Sequence, residues 1–511
     1  MKLRTIPFLI LCIIILYCCT MQEKPSILAP FRETSDVGPV GFPGEMQFNE
    51  ETEEYLLKGS GTNMWFNKDE FFLTWRKVTG NAILFTEVEF IGEGTDPHRK
   101  AGLIIRESLE QGSPYVSAAY HGDGLVSMQY RIEKDSATYE FRAKEDSLPV
   151  LQLITHGNNV MVLAARPGEP LDTVGKLQVN FTGDKEYYAG LFICSHNPEV
   201  IESARFMNTR FTTPAKDDFI PYSDYIGSRL EVLDIAEGRR KIIFESELPI
   251  EAPNWSRDGK FFIVNAKGLL YRIPADGGKV KTINTGFATS NNNDHGISPD
   301  GKQLVISHHA ADRPAGENSV IYTLPIKGGT PRQVTEKSPS YWHGWSPNEK
   351  YLIYTAKRKG QWDIWQIPAE GGEEKQLTDV AALDDGSEYS PDGQRIWFNS
   401  NRTGSMEIWC MNADGSEPRQ ITDDGWQNWF AHESPDGKRI IFLSYPPEVD
   451  LWDHPYYKQV MLRMLELENG KPAGKPKVVA YLYGGQGTIN VPSWSPDGSK
   501  VAFISNTRMI E

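Results

Sequence analysis

Three histidines stand just upstream of a recurring turn: His295 and His343 lie three residues before a turn serine, and His432 lies two before another. Glu388 lies two before a further one, so four of six copies carry an ionisable group there. Converging imidazoles and carboxylates support two kinds of chemistry. His295, His343 and His432, with Gln486 or Glu388, could hold one divalent metal ion, because imidazole and carboxylate suit several first-row ions. Without a metal, His295 or His343 could serve as a general base while Arg402 or Lys357 neutralises a substrate carboxylate. A third reading leaves these side chains bonding loop backbones and lining a wet channel.

More candidates for holding a ligand cluster at the same ends. The stretches NNNDHG, SYWHGW, LDDGSEY, NWFAHES and GGQGTINVP precede the turns and contain Asn293, Asp294, Trp342, Asp385, Glu388, Trp429 and Asn490. Loops after the following strands add His308, His309 and Arg402. In an up-and-down sheet the turn lies on one face, so both sets of loops share the other. Histidines, carboxylates, amides and aromatics gathered on one face are the ordinary makings of a site. No phosphate loop, nucleophile elbow or zinc-protease helix is present.

The elements that position these residues form a repeat. A Ser-Pro-Asp-Gly-like turn occurs at Ser256, Ser298, Ser346, Ser390, Ser434 and Ser495, at spacings of 42, 48, 44, 44 and 61 residues. Each turn leads into a strand such as KYLIYT or KRIIFLS, and several units add a second hairpin such as DIWQIPAEGGEEKQLT. Four strands in about 40–45 residues is the size of one propeller blade. After Asp497 the repeat has room for only half a blade, and SRLEVLDIAEGRRKIIFES at 228–246 matches the missing half. Six blades closed by strands from both ends follow, with no open edge. The long last spacing holds an aromatic insertion, YPPEVDLWDHPYYKQ, expected to overhang the loop face as a lid or wall. The unit resembles the TolB-type propeller, whose repeat carries W-S-P-D-G, a strand, then IW/Y…DADG…LT. The gathered histidines with Gln486 are similar in layout to propeller-type oligogalacturonate lyases, which implies a metal that acidifies a uronate.

Upstream, residues 44–213 read as many short strands with hairpin signals at His121-Gly122-Asp123-Gly124 and Gly157-Asn158-Asn159, and no long helix. The stretch KAGLIIRES…YVSAAYHGDGLVSMQYR with a terminal ARFMNTRF resembles the concanavalin-like jelly-roll modules of glycan-active proteins. Trp65, Trp75, Tyr115 and His121 are either sugar platforms there or core. Residues 20–43, rich in Pro, Gly and Ser, read as a tether. Lys2 and Arg4 precede an apolar run ending at Cys18-Cys19, so residues 1–19 read as a signal peptide. They resemble a lipoprotein signal, which implies lipidation at Cys19, with Cys18 as the alternative.

Composition narrows the partners. The 511 residues carry a net charge of -15, which argues against nucleic acid. Beyond the leader, Cys194 and Cys410 stand alone in apolar runs and form no disulfide framework. The expectation is an all-β chain: a β-sandwich or jelly roll at 44–213, then a six-bladed TolB-like propeller at 214–511. The whole resembles exported TolB-like proteins of glycan-using bacteria, often labelled Tol components, although a jelly roll replaces the α/β domain of true TolB. That resemblance implies a lipid-anchored envelope protein that binds, and perhaps cleaves, acidic carbohydrate. The competing reading is a non-catalytic platform for an envelope protein.

Overall fold

A computed structural model describes residues 29–509, and among them there is no helix. The expected leader and Cys19 lie outside the described residues. Residues 33–212 form two seven-stranded antiparallel sheets. Leu57, Leu84 and Leu151 of one sheet and Leu103, Val116 and Leu191 of the other share one core. Alternation explains the layering: in Glu54–Gly59 every second residue is buried, as a strand with one core face requires. Both expected hairpins form, Tyr115–His121 with Val126–Arg131 and Val150–His156 with Asn159–Ala165. Cys194 and Cys410 are buried and free.

The tether reading needs correction. Glu33–Val37 is a strand paired with Phe71–Trp75, and Phe31 is fully buried with its amide bonded to the Tyr55 hydroxyl at 2.9 Å. Phe31 and Val37 anchor the segment by apolar burial, which outweighs its loop-like composition. Tyr115 and His121 belong to the interior at 0% and 2% exposure, so they are not open sugar platforms.

Five four-stranded sheets and one closing sheet make six blades. In the closing blade Ser228–Asp234 pairs with Lys500–Asn506 on one side and Arg239–Ser246 on the other, and a bridge between Trp494 and Val501 marks the innermost position. The turn chemistry recurs in detail. In all six turns the serine Oγ donates to the Asp or Asn Oδ1 two residues on, at 2.6–2.8 Å. That same Oγ accepts the backbone N–H five residues on, at 2.9–3.0 Å. The fourth residue is left-handed, which glycine permits. Blade three has Glu349 there with φ 63°, and its carboxylate accepts the Asp300 amide of the neighbouring turn at 2.6 Å.

Sandwich and propeller are joined through buried charge. Arg210 of the sandwich donates to Glu231 Oε2 at 2.9 Å, and Arg240 donates to Glu231 Oε1 at 2.8 Å. Glu53 pairs with Arg210 at 3.0 Å, and its other oxygen accepts the Ile242 amide at 2.8 Å. Phe85, Val150 and Ala165 pack beside this network against Met461, Val478 and Tyr481.

Candidate functional site

Every intact blade breaks register at one place in its innermost strand. The irregularities fall between Glu251 and Asn254, Asn291 and His295, Trp342 and Gly344, Asp385 and Glu388, and Trp429 and His432. Ala252, Gly386 and Phe430 occupy the same offset, four before the turn serine, with φ of 54°, 62° and 56°. A bulge re-aims the side chains on either side of it. Residues five before the serine stand at or near the start of the innermost strands, the mouth of the ring: Glu251, Asn293, Tyr341, Asp385, Trp429 and Asn490. Residues two or three before it mostly turn back into the protein.

Asp385 is the centre of the mouth. His343 Nε2 lies 2.9 Å from its Oδ1, and His454 Nε2 lies 3.9 Å from its Oδ2. Phe430 stacks on His343 at 6.1 Å between centroids, and its ring and that of Trp429 lie 5.2 and 4.7 Å from His454. The Tyr456 hydroxyl donates to Glu251 Oε1 at 2.7 Å. Tyr222 and Tyr225 meet the Tyr456 ring edge-on at 5.6 and 5.8 Å while remaining 55% and 42% exposed. The Asn490 Nδ2 and Trp429 Nε1 donors are buried without a hydrogen-bond partner, which is rare in native interiors.

The carboxylates are strongly differentiated. Burial pushes Glu251 up to about 7, against the Tyr456 hydrogen bond and with help from Asp294. Burial pushes Asp294 up to about 6, opposed by His343 and reinforced by Asp385. For Asp385 burial is outweighed by His343, which holds it down to about 2. Burial disfavours a charged His343, but Asp385 outweighs that and raises it. Groups pushed apart in this way can hold and exchange protons near neutrality.

This arrangement has a consequence for stability. Glu251 and Asp294 keep protons in the folded state that the unfolded chain releases above about pH 4. The contribution of these two groups to stability therefore falls as pH rises from about 4 through 7. His343, raised when folded, adds to the fall. Glu251→Gln is expected to match the parent at about pH 4 and exceed it by up to about 3 kcal/mol at about pH 8. Urea unfolding at the two pH values checks this, and equal differences at both would refute it.

Several sequence expectations need correction. His295 is 0% exposed, with Nε2 3.2 Å from the Ile263 carbonyl oxygen of the preceding blade, so it is interior. His432 is buried between the Glu388 carboxylate and the Ile489 carbonyl, which removes both residues from the mouth. Arg402 holds Asp384 with two bonds of 2.8 and 3.0 Å and lies over Trp409, so it faces no substrate. Trp342 is core at 1% exposure, and Trp429 is core that presents only its edge to His454. His308 packs with Phe287 and Tyr322, whereas His309 lies 6.4 Å from Tyr341. Gln486 stands against His454, and Asn293 against Glu251. Each of the three proposed metal histidines has a different partner. Among the described residues no three His, Cys, Asp or Glu side chains have metal-ligand spacing.

His343, Asp294, Asp385, Asn293 and Asn490 thus stay at the mouth. Glu251, Tyr341, His454 and Tyr456 join them without having been singled out. The first two were visible as the residue five before the turn serine. The inserted segment supplies the other two.

Comparison with known proteins places the propeller in a lineage. A family model described as the TolB beta propeller domain matches residues 315–448. An uncharacterized protein of Agrobacterium fabrum, Atu1656, is 42% identical over 278 residues, covering 54% of this chain and 92% of the relative. The chain belongs to the TolB-like β-propeller family. A solved structure of this family, titled putative TolB from Agrobacterium tumefaciens, is 41% identical, covering all of that chain and 56% of this one with a TM-score of 0.52. TolB from Acinetobacter baumannii is 15% identical over 77% of its chain and 59% of this one, with a TM-score of 0.40.

Proposed function

We propose that this TolB-like propeller works in the cell envelope, anchored through Cys19, and that its mouth binds carbohydrate. The observation that carries this reading is the cluster of Tyr222, Tyr225 and Tyr456 beside the buried Glu251. Tyr222, Tyr225 and Tyr456 offer flat faces to a sugar ring, while Glu251, Asp294 and Asp385 offer acceptors to its hydroxyls. The acidic sugar first expected is revised. Of the two cations expected for a uronate, Arg402 is taken by Asp384 and Lys357 lies over the Trp362 ring, and the mouth carries carboxylates instead.

Tyr222→Ala tests this, because the ring is over half exposed and outside the core. Calorimetric titration of the full chain with neutral oligosaccharides is expected to give binding that weakens about tenfold in the variant. The melting temperature should hardly move. Absence of binding across a broad glycan panel would refute the reading.

A protein-binding platform remains the second reading. The exposed Ile220, Tyr222, Tyr225 and Trp452 favour it. An envelope protein that binds through these residues, with no glycan bound, would establish it instead.

A further inference from the structure

The mouth is short of positive charge. Asp294 interacts with both Glu251 and Asp385, and among the described residues none of the three pairs with a lysine or arginine. His343 is paired to Asp385, and His454 stands beyond it. Glu251 is faced by Tyr456 and Asn293 as well as Asp294, and Asp294 is faced by Asn292, His343 and Asp385. No element packed against the two carboxylates brings a cation to Glu251.

A buried, unpartnered donor stands at the same place. Asn490 is 2% exposed, and its Oδ1 accepts the Gly487 amide at 2.8 Å. Its backbone adjoins His343. Gly487 lies so close to Glu251 that an added Cβ would stand 2.6 Å from Glu251 Cγ. The free Nδ2 of Asn490 therefore sits between the His343 and Glu251 ends of the mouth. It can donate to a ligand hydroxyl beside the acceptors. Aromatic rings are also the usual surroundings of a bound ammonium group, and Tyr222, Tyr225 and Tyr456 stand beside Glu251.

We propose that the mouth reads a protonated primary amine, so that the carbohydrate it takes is an amino sugar with a free rather than acylated nitrogen. This rests on the reading of the mouth as a carbohydrate site. The amine replaces the missing cation at Glu251 and Asp294, and the sugar hydroxyls pair with Asn490 Nδ2 and Asp385. Because burial raises the Glu251 pKa to about 7, an arriving cation favours loss of its proton. Binding and proton release are thereby coupled.

The test is calorimetry on the full chain near neutral pH, in two buffers of different ionisation enthalpy. The probes are a glucosamine trimer, its N-acetylated counterpart and a trilysine peptide. The free-amine trimer is expected to bind about tenfold or more tightly than the acetylated one and to release protons. In Glu251→Gln the release should shrink and the preference for the free amine should fall. Equal binding of both trimers would overturn the amine inference and leave the carbohydrate reading intact. Binding of neither trimer would also overturn the amine inference, and the broad glycan panel then decides the carbohydrate reading separately. Tighter binding of trilysine than of the free-amine trimer would show that the sugar is not what is recognised, and would also overturn the proposal.

Discussion

Replacing Glu231 with alanine is expected to destabilise the protein by about 3–5 kcal/mol. Glu231 is 0% exposed and is the shared acceptor for Arg210, Arg240 and the Ser505 hydroxyl. Burial alone would raise its pKa, but the two guanidinium groups hold it down to about 2. Without it Arg210 retains Glu53, whereas Arg240 keeps the Tyr481 carbonyl, the face of Phe503 and the weaker attraction of Glu87. An uncompensated buried guanidinium is the costly outcome, more than the loss of the pair itself. The effect should appear in the closing blade and the sandwich together, because Arg210 belongs to one and Arg240 to the other. Urea unfolding followed by tryptophan fluorescence measures it, and a change below about 1 kcal/mol would refute the role assigned to the network. The sign with pH also follows. Glu231 stabilises above its unfolded pKa, and that contribution is lost as pH falls through about 2.

Deleting residues 228–246 is expected to abolish the cooperative fold of the propeller. The deletion removes two strands of the closing sheet and strips the partner from Lys500–Asn506. It also takes away Leu230, Val232, Leu233, Ile242 and Phe244, all buried. At about 1.5–3 kcal/mol each, their loss matches or exceeds the usual net stability of a domain. The bared strand would then offer an apolar edge for aggregation. Size-exclusion chromatography and a thermal melt check this. A monomer melting cooperatively at an unchanged temperature would contradict it.

The propeller was legible because its turns repeat. One serine organises each turn through its Oγ, so the signature survives where Arg257 or Glu349 replaces its usual members. The closing pair was legible for the same reason, since 228–246 carries the second hairpin of a unit. The site was legible by face but not by residue. Position ahead of the innermost strand points to His295, His343 and His432, but the register break falls at a different place in each of their blades, and of the three only His343 meets Asp385. Arg402 looked free because nothing in its neighbourhood of sequence shows that Asp384 would come within 2.8 Å. His454 and Tyr456 have no counterpart in other blades, so no repeat could reveal them. The start of the sandwich was misread because two apolar residues, Phe31 and Val37, decide it against a loop-like background.

The shared closing blade also dictates the order of assembly. Blades one to five each pair strands close in sequence, but Ser228 must wait for Asn506, 278 residues later. Bringing such distant segments together costs about 5 kcal/mol in loop entropy, and no native contact offsets it until the ring shuts. The nascent chain therefore cannot complete its fold while its last strand is still being made. A propeller of this design keeps its ring open until Lys500–Asn506 has been made.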